Sequence, residues 1–99
     1  MQFVRVSIRT FQSAAHAELF LSVGSGVKQQ LSNAGLKAKF SICQSISLPN
    51  QVISIWYYDS QEHMKAVRDL LSNQSRLPNS LVPKEVAYET KIVHIGEQG

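Results

Sequence analysis

The chain opens on strict alternation. Val4, Val6 and Ile8 take one side of an extended segment, and Phe3, Arg5, Ser7, Arg9 and Phe11 take the other, the period of two that marks a strand. Ser13 has N-cap chemistry. After it His16, Phe20, Val23, Val27, Leu31 and Ala34 recur at spacings of three and four, which predicts an amphipathic helix. Gly24 and Gly26 interrupt that helix, each costing about 1 kcal/mol against alanine, and are expected to loosen or bend it. Asn33-Ala34-Gly35 reads as its stop.

Alternation returns over 38–48. Ala38, Phe40, Ile42, Ile46 and Leu48 oppose Lys39, Ser41, Cys43, Ser45 and Ser47, and Gln44 breaks the apolar side. Pro49-Asn50 supplies a turn into a dense strand over 52–58, so the two strands form a hairpin. Asp59 or Ser60 caps a second helix, with Asp59 and Glu62 at capping-box spacing and Met64, Val67, Leu70 and Leu71 as its apolar stripe. Residues 72–83 read as a polar connection with room for a further helical turn. A last strand is expected over 86–95, with Val86, Tyr88, Thr90, Ile92 and His94 on one side.

The resulting order, βαββαβ, with right-handed crossovers gives an α+β, ferredoxin-like antiparallel sheet with both helices on one face. Val4, Val6, Ile8, Ile53, Ile55 and Tyr57 are the expected helix-covered side. The other side then exposes Phe3, Phe11, Trp56 and Tyr58 among Arg5, Ser7, Arg9 and Ser54. Monomers rarely leave such a patch bare, so a second copy, a ligand or single-stranded nucleic acid is expected to cover it.

The 99 residues fit one domain, 1–99. Charged side chains make up 17%, below the typical quarter, and the net charge is +3, which excludes an acidic disordered segment and is mild for a dedicated nucleic-acid binder. No stretch approaches the roughly 20 apolar residues of a membrane span. The N-terminal segment lacks the unbroken apolar core of a secretory signal, so a cytoplasmic protein or the mature part of an imported one is expected. With Cys43 alone, no internal disulfide can form.

Leu48 to Ser60, LPNQVISIWYYDS, resembles the NIPSNAP pattern, in which a loop ending in Asn-Gln-Val enters a strand bearing Ile-Trp-x-Tyr and then a small capping residue. Arg9-Thr10-Phe11 is similar to the Arg-Thr-aromatic closing that family's first strand, Glu89 to Val93 to its last strand, and His63 to Leu71 loosely to the helix between. The resemblance implies a dimeric α/β barrel in which two sheets pack face to face around the aromatic patch. Related barrels include cofactor-free monooxygenases, haem-binding enzymes and stress-response proteins, and the NIPSNAP group has no single agreed chemistry.

Trp56 and Tyr58 are most simply packing residues, although their polar handles could orient a ligand. Arg5 and Arg9 on an inward side need partners: acidic side chains, or a carboxylate or enolate in a cavity. With Ser54 and His94 they complete the candidate ligand-binding set: Arg5, Arg9, Ser54, Trp56, Tyr58 and His94. The three histidines lack metal-ligand spacing, so no metal is expected, and no cofactor is implied. Gly24-Ser25-Gly26 is no phosphate loop, and no catalytic triad or carboxylate pair is evident.

Three functions compete. The first is a homodimeric interaction or small-ligand module with its cavity between the sheets. The second is a cofactor-independent monooxygenase or isomerase acting on a small apolar acid. The third is RNA binding, since the RNA-recognition motif shares the order. That motif wants a basic-Gly-aromatic-Gly run where VISIWYYD stands, so no nucleic-acid partner is expected.

Overall fold

The computed structural model describes residues 2–74 and 82–99. Strand β1 (Phe3–Thr10) leads to helix α1 (Ala14–Val23), a 3-10 turn (Gly24–Gly26) and helix α2 (Val27–Asn33). Strands β2 (Lys39–Gln44) and β3 (Gln51–Tyr58), helix α3 (Gln61–Gln74) and strand β4 (Lys84–Lys91) follow. The sheet order is β2-β3-β1-β4, and every neighbouring pair is antiparallel. This is the ferredoxin-like βαββαβ arrangement, with the first helical stretch broken at the two glycines.

The helix ends are made by the residues whose chemistry suits them. Ser13 Oγ accepts from the His16 N–H at 3.2 Å, and Ser60 Oγ accepts from the His63 N–H at 3.0 Å. Each such cap contributes about 1 kcal/mol. Ser60 rather than Asp59 is the capping side chain of α3; the Asp59 N–H donates to His63 Nδ1 at 3.2 Å. With Nδ1 accepting, the ring proton sits on Nε2 and donates to the Lys37 carbonyl, so His63 joins the start of α3 to the loop before β2. Helix α2 ends in a Schellman turn. The Leu36 N–H reaches the Leu31 carbonyl at 2.9 Å, the Gly35 N–H reaches that of Ser32 at 3.1 Å, and Gly35 supplies the φ of +70°.

Several boundaries differ from the sequence expectation. Strand β2 ends at Gln44, not at 48, because the Gln44 amide donates to the Pro49 carbonyl at 2.8 Å and closes the loop there. Helix α3 runs through Ser72 to Gln74 where a connection was expected; the rest of the possible helical turn, 75–81, lies outside the described residues. Strand β4 occupies 84–91 instead of 86–95, which leaves His94 beyond the sheet.

The larger correction concerns the two sides of the sheet. The helices cover the side bearing Trp56 and Tyr58, not the side bearing Val4, Val6, Ile8, Ile53, Ile55 and Tyr57. Trp56 and Tyr58 form a buried cluster with Leu31 of α2 and Met64 and Val67 of α3. A second cluster joins Phe11, Ala17 and Val52, with Phe20, Leu21 and Ile42 packed against it. Along β3 the burial alternates without exception: Val52, Ser54, Trp56 and Tyr58 are buried, and Gln51, Ile53, Ile55 and Tyr57 are half-buried. The physical reason is reach and area. Aromatic rings bury roughly 150–250 Å² each and extend up to the helices, whereas branched aliphatic side chains make a low, even surface.

Candidate functional site

The site follows from the register. Ser7 of β1 lies opposite Ser54 of β3 and Ala87 of β4, so three small side chains stand abreast on the helix-covered side. Large rings flank this shallow row. Phe40 stacks on Trp56 with centroids 4.4 Å apart, and Trp56 lies 6.3 Å from Tyr58 in near-parallel planes. At the other end Phe11 and Phe20 meet at 5.2 Å. The small residues do not fill the space that the rings hold open. A cavity of about 380 Å³ remains between sheet and helices, within the range of small-molecule sites.

Apolar walls come from Phe20, Val23, Val27, Ile42 and Leu71, and polar groups from Ser7, Ser54, Arg9, Arg68 and Glu85. The Arg9 guanidinium is the central polar feature. Its Nη1 donates to Ser54 Oγ at 2.9 Å, its Nη2 stands 3.6 Å from Glu85 Oε1, and its Cζ lies over the Phe20 ring, 5.2 Å from the ring centre. Burial pushes its pKa down, Glu85 opposes that shift, and Arg5 and Arg68 add to it. Arginine nonetheless stays charged at any ordinary pH. Tyr58, whose residue is only 1% exposed, has its hydroxyl pKa pushed up to about 12, chiefly by burial, so it is neutral at physiological pH.

Of the six candidate residues, the structure brings Arg9, Ser54, Trp56 and Tyr58 together around one cavity. The cavity lies within one chain, between sheet and helices, and not in the space between two sheets where the sequence had suggested it. Arg5 stands beside it, held by Glu89 at 2.8 Å and 3.9 Å from Glu85. His94 is elsewhere, lining a shallow groove with Gln2 and Lys91 to Ile95. Sequence reasoning missed Glu85 and Arg68. Glu85 becomes visible only through the register, which places it directly across from Arg9. Arg68 follows Val67 on the inner side of α3, where its long stem reaches the cavity.

The segment from Asn50 to Val52 has a structural role here. Asn50 holds the end of β1 from both sides: its side-chain amide donates to the Phe11 carbonyl, and its own carbonyl accepts the Phe11 N–H, each at 2.9 Å. Gln51 and Val52 then pair with Thr10 and Arg9. The Asn-Gln-Val and Arg-Thr-Phe stretches are thus two halves of one contact, and that contact fixes the register that brings Arg9 to Ser54.

The architecture is that of the ferredoxin-like α+β proteins. No sequence-family profile matches this chain, and neither does any curated protein sequence. Solved structures do share its fold. A dimeric ferredoxin-like protein from an uncultured marine organism superposes with a TM-score of 0.74 at 16% identity, covering 99% of this chain and 93% of that one. A NIPSNAP domain protein from Burkholderia xenovorans gives 0.67 at 19% identity, covering 97% and 99%. SnoaB, a cofactor-independent oxygenase from Streptomyces nogalater, gives 0.67 at 10% identity, covering 95% of each chain. Among the described residues no helix is long and apolar enough to cross a membrane, and no cluster of three or more His, Cys, Asp or Glu side chains could hold a metal ion.

Proposed function

We propose that this protein is a NIPSNAP-like homodimeric module in which each protomer binds a small, largely apolar molecule with a carboxylate head group between its sheet and its helices. One observation carries the reading: a half-buried guanidinium, Arg9, lies at the floor of a hollow whose remaining walls are mostly apolar. A carboxylate matches that guanidinium in charge and can accept its hydrogen bonds, while the aliphatic and aromatic walls take the apolar body.

The dimer is supported by the other side of the sheet. Val4, Val6 and Ile8 adjoin Ile53, Ile55 and Tyr57, and Val86 and Tyr88 extend the patch at 51% and 56% exposure. A continuous apolar sheet surface of this kind is uncommon on a monomer, and structures sharing the fold include proteins described as dimeric. Trp56 and Tyr58, the aromatics that an RNA-binding reading invokes, lie under the helices.

Binding fits better than oxygenation. Among the described cavity-lining residues Glu85 is the single carboxylate, and it is engaged with Arg5 and Arg9, so among them no unpaired carboxylate faces the hollow. The test is titration of octanoate against the intact protein, read by Trp56 fluorescence and calorimetry. Saturable binding that weakens at least about tenfold in Arg9→Gln is expected, given the worth of a charge-assisted hydrogen bond. Equal affinity in the two proteins, or no binding to either, would contradict the reading.

A further inference from the structure

The strands that build the cavity also place its charges. Among the described residues two guanidiniums, Arg9 and Arg68, face it against one carboxylate, Glu85. Glu85 sits directly across from Arg9 in the β1–β4 register and Glu89 directly across from Arg5. These two cross-strand pairs are not equivalent. Glu89 meets Arg5 at hydrogen-bond distance, 2.8 Å, and does not line the cavity. Glu85 stands off at 3.6 Å from Arg9 and 3.9 Å from Arg5, within Coulombic reach of both but donating its charge to the hollow without capping either guanidinium. Arg9 therefore keeps hydrogen-bonding capacity beyond the Nη1 bond to Ser54. Arg68, on the facing helix, makes no ion pair among the described residues.

With the binding reading above as its basis, we propose that Glu85 is the selectivity residue of the cavity: its negative charge beside Arg9 limits the head group to a single carboxylate and turns away dianions. One bound carboxylate brings the two guanidiniums and Glu85 to electrical balance. A second carboxylate on the same carbon adds an uncompensated negative charge next to Glu85, in a partly dry site where like charges repel more than in water. Selectivity here is a repulsive element built into the edge strand, and attraction is left to Arg9 and Arg68.

The probes are octanoate and hexylmalonate, which is octanoate with a second carboxylate on the α-carbon, titrated by calorimetry against wild type, Glu85→Gln and Glu62→Gln. Glu62 is exposed in the first turn of α3 and controls for the loss of one negative charge. Wild type is expected to prefer octanoate. Glu85→Gln should move the ratio of affinities toward hexylmalonate by about tenfold, and Glu62→Gln should leave it unchanged. If wild type binds octanoate in an Arg9-dependent way but Glu85→Gln leaves the ratio where it was, the selectivity role is wrong and the binding reading stands. A shift of equal size in Glu62→Gln would also overturn it, by making the effect one of overall charge. If octanoate does not bind wild type, or binds regardless of Arg9, both fall together.

Discussion

Ile55 and Trp56 are adjacent on β3 and face opposite worlds. Trp56 is packed under the helices between Phe40 and Tyr58. Ile55 lies on an aliphatic surface with Val6 and Ile53, on the side of the sheet away from the helices. The covered side mixes rings with arginines, glutamates and serines, and encloses a hollow. The uncovered side has branched aliphatics at its centre, Val4, Val6, Ile8, Ile53 and Ile55, bordered by Tyr57 and Tyr88 and by Lys39, Ser41 and Cys43 of β2. The lesson is that hydrophobicity by itself does not say which side of a sheet the helices cover. Here the helices cover the side that holds the cavity and the ion pairs, and leave the more uniformly apolar side uncovered.

That contrast can be tested by cutting each side in turn. The largest effect is expected from Trp56→Ala, which removes a buried ring and opens a void in the main cluster. It should cost about 3–5 kcal/mol of unfolding free energy, at every protein concentration. Ile55→Ala should cost less, and its cost should grow with protein concentration, because its burial depends on a second copy. Chemical denaturation at two concentrations tenfold or more apart checks both. Concentration dependence in Trp56→Ala beyond that of wild type would break the comparison.

A smaller effect concerns Tyr58. Its native pKa, raised to about 12 by burial, exceeds the value near 10 expected in the unfolded chain. Between those values the native state holds a proton that the unfolded state has released, so stability present below pH 10 is lost as pH rises toward 12. Tyr58→Phe should flatten that part of the stability profile, measured by denaturant titration from pH 9 to 12. An unchanged slope would mean the hydroxyl is not shielded as the helix-covered side requires.

Much of the fold was legible in the sequence. The βαββαβ order, the cap at Ser13, a second cap at Asp59 or Ser60, the break at Gly24 and Gly26 and the stop at Gly35 all follow from local chemistry, and local chemistry needs only neighbours in the chain. The orientation of the sheet was not legible, because period-two alternation is symmetric. Each central strand carries large apolar groups on both sides, and turning the sheet over preserves the pattern while exchanging every partner. The residues grouped on one side of the sheet, Arg9, Ser54, Trp56 and Tyr58, were correctly grouped, since side-sharing survives the exchange; what covers them was not. His94 was assigned to the sheet by continuing alternation past Lys91, where pairing with β1 has run out. Glu85 escaped notice because its partner Arg9 is far away in sequence and next to it only in the register. The pair Ser7 and Ser54 was the available clue: small residues on the two central strands mark a hollow on whichever side they face.

The division of labour between the two sides is tested most directly by Val6→Asp, which places a charge at the middle of the aliphatic surface and touches nothing in the cavity. Wild type is expected to sediment as a dimer at micromolar concentration, and Val6→Asp as a folded monomer that binds octanoate within about threefold of wild type. A wild-type monomer, a variant that still pairs, or a monomeric variant that no longer binds would contradict the account.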